Sequence, residues 1–107
     1  MNLFLEYHKK ILIFLNKLDK QKIIKTNSNF KFTVELPPKN QKADISSNLA
    51  MTLAKINNKP PRELAEEIKK HLLLNFKEFK IIEIAGPGFL NISFNDSFWN
   101  NYLIKVI

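Results

Sequence analysis

Ala85-Gly86-Pro87-Gly88-Phe89-Leu90-Asn91-Ile92-Ser93-Phe94 holds both glycines of the chain, one on each side of a proline, and the residues after this turn alternate like a half-buried strand. Successive strand side chains point to opposite faces. Leu90, Ile92 and Phe94 therefore take one face, and Phe89, Asn91 and Ser93 the other. Proline suits the first central position of a type II turn and Gly88 the positive φ of the second, which predicts a hairpin with a strand over Phe79 to Ile84. On the polar face, Phe89 offers a π-surface two residues from an amide that can both donate and accept. Such a pair suits an unstacked nucleotide base.

Outward from this hairpin, the other elements follow from hydrophobic spacing. Leu3, Tyr7, Ile11, Phe14 and Leu18 recur every three or four positions, predicting an amphipathic helix from Asn2 to Gln21 that ends by Thr26 to Asn29. Phe30, Phe32, Val34 and Leu36 alternate with Lys31, Thr33 and Glu35, giving a strand that stops at Pro37-Pro38. Ile23 to Lys25 is read as a short partner strand. Beyond the polar loop Lys39 to Ala43, Asp44 is placed to cap a second helix striped by Ile45, Leu49, Leu53 and Ile56.

Asn57-Asn58-Lys59-Pro60 breaks that helix, and Pro61 opens a third, where a missing N–H costs nothing. Glu63, Glu66 and Glu67 lie toward its positive end and Lys69 and Lys70 toward the other, with Leu64, Ile68 and Leu72 as the buried stripe. Asn95, Asp96 or Ser97 caps a last helix carrying Trp99, Leu103 and Val106 on one side. The chain ends while this helix is still amphipathic, as a domain cut from a longer protein would.

Length and composition bound the function. A chain of 107 residues is expected to form a single domain, 1–107, and its 45% hydrophobic and 25% charged residues are those of a packed globular fold. Cysteine is absent, which excludes a disulfide framework, a thiolate zinc site and a thiol nucleophile, and fits a cytoplasmic location. The apolar run Ile11 to Leu15 after Lys9 and Lys10 is too short for a membrane span or signal peptide and reads as a helix face, so no membrane partner is expected.

The net charge of +7 favours a polyanionic partner, since lysine and arginine neutralise phosphate. Sixteen of the 17 basic residues are lysines, scattered as on a solvated surface in a chain rich in Lys, Asn and Ile, so charge alone does not decide for nucleic acid.

No catalytic constellation accompanies this charge. A glycine-rich phosphate loop, paired histidines at metal spacing and a nucleophile elbow are all missing, so no catalytic residue and no metal ligand is assigned. His8 and His71 read as surface or boundary histidines. Glu66 and Glu67 point about a quarter turn apart and suit solvation better than shared proton chemistry.

Three blocks carry a family resemblance: Ala43-Asp44-Ile45-Ser46-Ser47-Asn48-Leu49-Ala50-Met51, Lys59-Pro60-Pro61-Arg62-Glu63-Leu64-Ala65-Glu66-Glu67-Ile68, and Ala85-Gly86-Pro87-Gly88-Phe89-Leu90-Asn91-Ile92. In this order and spacing, nearly the whole chain resembles the N-terminal additional domain of bacterial arginyl-tRNA synthetases. The resemblance implies an α+β fold, a two-layer domain with an antiparallel sheet of three to four strands and helices packed on one face, placed ahead of a class I catalytic domain that is not part of this chain. That module contacts the D-loop at the outer corner of an arginine-specific tRNA. An aromatic residue after the Gly-Pro-Gly turn stacks on a D-loop base and an amide two residues later meets its edge, which maps onto Phe89 and Asn91. Asn48 matches the asparagine of the first block.

One departure stands out. The family usually has a glycine before the aspartate where this chain has Lys42-Ala43, which bears on the expectation that Lys39 and Lys42 reach phosphate. The HIGH-type and KMSK-type sequences that handle ATP, with its Mg, are absent, so the resemblance places arginine activation elsewhere on the parent polypeptide, a cytoplasmic arginine-tRNA ligase. This domain itself is expected to hold no cofactor, and no obligate oligomer is implied. The alternative is a non-catalytic protein-interaction module with Phe89 as an apolar anchor. Salt separates the two, because RNA binding weakens steeply with salt and apolar docking does not.

Overall fold

The computed structural model describes residues 2–106, with side chains through Ile104. Helix α1 spans Leu3–Lys20 and is started by Asn2, whose side-chain oxygen accepts from the amides of Phe4 and Leu5 at 3.0 and 3.1 Å. Its spacing buries Tyr7, Ile11, Phe14, Leu15 and Leu18 on one face. The 3.6-residue period thus holds, with Leu15 added to the expected stripe and Leu3 only half-buried.

Four strands form one antiparallel sheet: β1 (Val34–Glu35), β2 (Ile45–Ser47), β3 (Phe79–Ala85) and β4 (Phe89–Phe94), in the order β1-β2-β4-β3. Leu90 and Ile92 are fully buried and Phe94 nearly so, on the face covered by α1, by α2 (Leu49–Leu53) and by α3 (Pro61–Asn75). Burying side chains of this size contributes about 1.5–3 kcal/mol each. The fold is the two-layer α+β arrangement that the family resemblance implies.

Several expected elements take a different form. The strand over Phe30 to Leu36 shortens to Val34–Glu35, and Leu36 is 74% exposed. Upstream, the Phe32 carbonyl lies 3.0 Å from His8 Nε2 and its ring stacks on the imidazole at 4.2 Å, so Phe32 is satisfied by α1 rather than by a ladder. Ile23 to Lys25 forms no strand; the backbone N–H and C=O of Lys25 are both taken by the Asn57 side chain. Asp44 does not cap a helix. The residues after it pair as an inner strand, Ile45 opposite Ile92 and Ser46 opposite Asn91, and the helix begins only at Leu49. Ile56 then falls beyond α2, half-buried against the core.

Pro61 occupies the first turn of α3, as expected, and Leu64, Ile68 and Leu72 are buried together with Ala65. In α4 (Asp96–Val106) Asn95 is the cap, its Oδ1 accepting from the Phe98 amide at 2.8 Å. The inward side carries Phe98, Trp99 and Tyr102, while Leu103 is 55% exposed; the side chain of Val106 lies outside the described residues. Phe98 stacks on Phe94 at 4.1 Å and Tyr7 meets Phe94 at 4.9 Å, so an aromatic cluster ties α1, β4 and α4 together.

Candidate nucleic-acid interface

The β3–β4 connection is set by its backbone. Ala85 pairs with Phe89 across the hairpin, and the Gly88 amide donates to the Ala85 carbonyl at 3.2 Å. The central residues of the turn are therefore Gly86 and Pro87, one position earlier than the sequence suggests. Gly86 has φ +55°, and proline's ring fixes a negative φ after it, the φ pair of a type II′ turn. Type II′ fits the right-handed twist of paired strands, whereas type II splays them.

The tip of this hairpin rests on the start of α3. Gly88 has φ +139°, and a Cβ there would lie 3.0 Å from Pro61 Cβ and 3.2 Å from its carbonyl carbon. Beside it the Arg62 guanidinium donates to the Gly86 carbonyl. Sequence reasoning did not single out Arg62. Its signals are being the lone arginine and standing in the second resemblance block, and neither points to the hairpin, since a partner distant along the chain leaves no local pattern.

Phe89, 39% exposed, stands at the rim of an open pocket of about 510 Å³ on the sheet face away from the helices. Pro37, Pro38 and Gln41 wall it on one side, and Ser46 and Asn91 line it on the sheet. Phe89 and Asn91 thus share a face and a cavity, as strand parity predicts. Asn91, however, is not exposed: it is 4% accessible, flanked by Ser46 and Glu83 on the neighbouring strands. The loop between β1 and β2 folds over this face, and Asn91 Nδ2 donates to Gln41 Oε1 at 3.3 Å. Asn91 Oδ1 has no hydrogen-bond partner among the described residues.

The loop ends at Asp44, whose Oδ2 accepts from the Phe94 amide at 2.7 Å while its own amide donates to the Ile92 carbonyl at 2.9 Å. Those two bonds fasten the loop to β4. Asn48 lies outside the pocket lining; its Oδ1 accepts from the Thr33 amide at 2.8 Å and braces the strand that leads to the loop. Lys39 and Lys42 are exposed on the loop, and neither lines the pocket. The lining carries one carboxylate, Glu35, and no lysine or arginine.

Two of the other singled-out residues are occupied elsewhere. His8 is held against Phe32, and the Glu67 carboxylate pairs with Lys59 ahead of α3, raising the ammonium above its usual range. Among the described residues no group of three or more His, Asp or Glu could hold a metal ion, and no helix is long and apolar enough to cross a membrane.

Comparisons with known proteins bear on this geometry. Residues 6–94 match the family described as Arginyl tRNA synthetase N terminal domain. An arginine–tRNA ligase of Pelagibacter ubique is 36% identical over 107 residues, 99% of this chain and 18% of that protein. One of Wolbachia from Brugia malayi is 39% identical over 106 residues, again 99% of this chain and 18% of the relative. One of Thermotoga maritima is 45% identical over 78 residues, 73% of this chain and 13% of the relative. The chain therefore spans about a fifth of the length of the relatives that match it end to end.

Proposed function

Since the chain belongs to the family of arginyl-tRNA synthetase N-terminal domains, we propose that it is the tRNA-binding accessory domain of a cytoplasmic arginine–tRNA ligase, contacting the D-loop at the outer corner of the tRNA. The observation that carries this reading is the pairing of a half-exposed Phe89 ring with a buried, half-satisfied Asn91 amide in one open pocket. A ring offers a stacking surface to any base, and an amide distinguishes base edges. A lining with a carboxylate and no basic side chain suits a base rather than a phosphate. The phosphates of the same loop would then meet the lysines outside the pocket, Lys39 and Lys42 being the nearest in sequence to its wall.

The pocket does not fit ATP. The phosphates of a magnesium-bound triphosphate need basic side chains or a glycine-rich backbone cradle, and the lining offers one carboxylate and no lysine or arginine. Arginine activation is assigned to a class I catalytic domain of the same polypeptide, and this domain acts by position. Holding the corner of the tRNA fixes its acceptor end over the distant site, so its effect falls on the tRNA step alone.

Charging kinetics of the full-length protein test the reading. Phe89→Ala is expected to lower kcat/KM for tRNA by about 5- to 150-fold, the value of one lost stacking contact, while leaving tRNA-independent recognition of ATP and arginine intact. Phe89→Tyr keeps the ring and is expected to be nearly silent. Wild-type charging by Phe89→Ala would remove the stacking role and favour an apolar anchor for a protein partner.

A further inference from the structure

We infer that Gln41 is a specificity-determining residue: it fixes which way the Asn91 amide faces and so makes the pocket an acceptor of hydrogen bonds. The inference rests on the tRNA-binding reading above and names the class of base that the pocket takes.

Asn91 is 96% buried, since its accessibility is 4%, and an amide so placed has four hydrogen-bonding positions to satisfy. One of its two Nδ2 hydrogens goes to Gln41 Oε1 at 3.3 Å, whereas Oδ1 has no partner among the described residues. A buried carbonyl oxygen without a donor costs free energy, and the missing donor is one that a ligand can bring. Gln41 sits on the loop wall and Asn91 in the sheet, so the contact joins the two sides of the cavity.

The surroundings reinforce the acceptor character. Glu35 also lines the pocket, and an ionised carboxylate only accepts. No lysine or arginine among the lining residues offers a charged donor. Thr33, Asn40, Gln41 and Ser46 in the lining can donate as well as accept, but the buried polar atom left without a partner is Asn91 Oδ1, an acceptor, and the base edge that answers it carries a protruding exocyclic amino group, as adenine, cytosine and guanine do. Uracil is disfavoured, because its one N–H is recessed between two carbonyl oxygens that would face Asn91 Oδ1 and Glu35.

The role of Gln41 is testable because its chemistry can be reversed in place. Gln41→Glu keeps an acceptor for Asn91 Nδ2 and is expected to preserve the base preference. Gln41→Lys offers a donor instead, which turns the amide so that Oδ1 faces the loop and Nδ2 faces the ligand. Gln41 lies half-exposed on a loop, so both variants are expected to fold, and a melting curve checks this.

The experiment measures charging of unmodified tRNA transcripts carrying each of the four bases at the D-loop position that is sensitive to Phe89→Ala. Full-length wild type and Gln41→Glu are expected to prefer the amino-bearing bases over uracil by about 5- to 150-fold, and Gln41→Lys to lose or invert that preference while still charging. A preference for uracil in wild type would mean that the amides pair the other way round, overturning the inference. An unchanged preference in Gln41→Lys would overturn it too, with Phe89→Ala still discriminating whether the D-loop reading stands. If no D-loop position responds to Phe89→Ala, the D-loop reading falls and the inference with it.

Discussion

The guanidinium of Arg62 donates to the carbonyl oxygen of Gly86, so the first turn of α3 holds the tip of the hairpin from which Phe89 projects. Gly88 packs on the neighbouring Pro61 at the same point. The second and third blocks of the family resemblance are thereby one structural unit: the proline and arginine at the start of a helix seat the turn that aims an aromatic ring at solvent. The first block joins them through Ser46, paired with Asn91, and through Asp44, bonded to Phe94.

Substitution at this seat separates stability from aim. Gly88→Ala introduces a Cβ 3.0 Å from Pro61 at a φ that other residues rarely adopt, and is expected to cost about 1–3 kcal/mol. Thermal melting reads this as a drop of several degrees. Arg62→Ala removes one exposed bond and is expected to cost no more than about 1 kcal/mol, yet to speed amide exchange across the hairpin tip. Equal exchange in the two proteins would mean that Arg62 does not hold the turn.

Asn48 is expected to act as a brace. Asn48→Ala removes the acceptor for the Thr33 amide and should cost about 1 kcal/mol in denaturant unfolding. Asn48→Asp retains that acceptor and should restore most of the stability. An asparagine that mainly touches RNA would behave in the opposite way, since the added negative charge would weaken tRNA binding whatever happened to stability.

Tyr7 gives the fold an alkaline limit. Its hydroxyl donates to Glu78 Oε2 at 2.7 Å, and burial first, then the bond to Glu78 and the carboxylate charge, push its ionisation well above the ordinary tyrosine range. A group whose folded pKa is raised contributes stability that is fully present below its unfolded value, near 10, and lost as pH rises above it. Melting temperature is therefore expected to fall more steeply above about pH 10 in wild type than in Tyr7→Phe. Parallel curves for the two proteins would show that the phenol is not what limits the fold there.

Binding of tRNA by this domain alone is expected to be weak and salt-sensitive, because one stacking contact and a few lysines supply it. Titration at low and high salt should show affinity falling steeply, with log K linear in log salt. Tight binding indifferent to salt would indicate apolar docking through Phe89 and the exposed Leu36 close by.

The amino-acid sequence by itself determined the elements whose signal is local and repeated. The helical spacing of Tyr7, Ile11, Phe14 and Leu18 and of Leu64, Ile68 and Leu72 defined α1 and α3, and the alternation of Leu90, Ile92 and Phe94 set both the register of β4 and the shared face of Phe89 and Asn91. A one-residue slip would have turned the buried side of that strand to water, which is why so short a pattern is decisive. Tertiary structure decided the rest. Asp44 followed by apolar residues at helical spacing reads equally as a cap, and Ile45–Ser47 is a strand because β1 and β4 lie on either side to pair with it. Asn91 is buried because a loop far away along the chain closes over it, and Arg62 matters because a turn arrives at its helix. Pairing between distant segments leaves no periodicity in either, so only the folded chain reveals which polar groups face each other and that Asn91 Oδ1 is buried without a partner among the described residues.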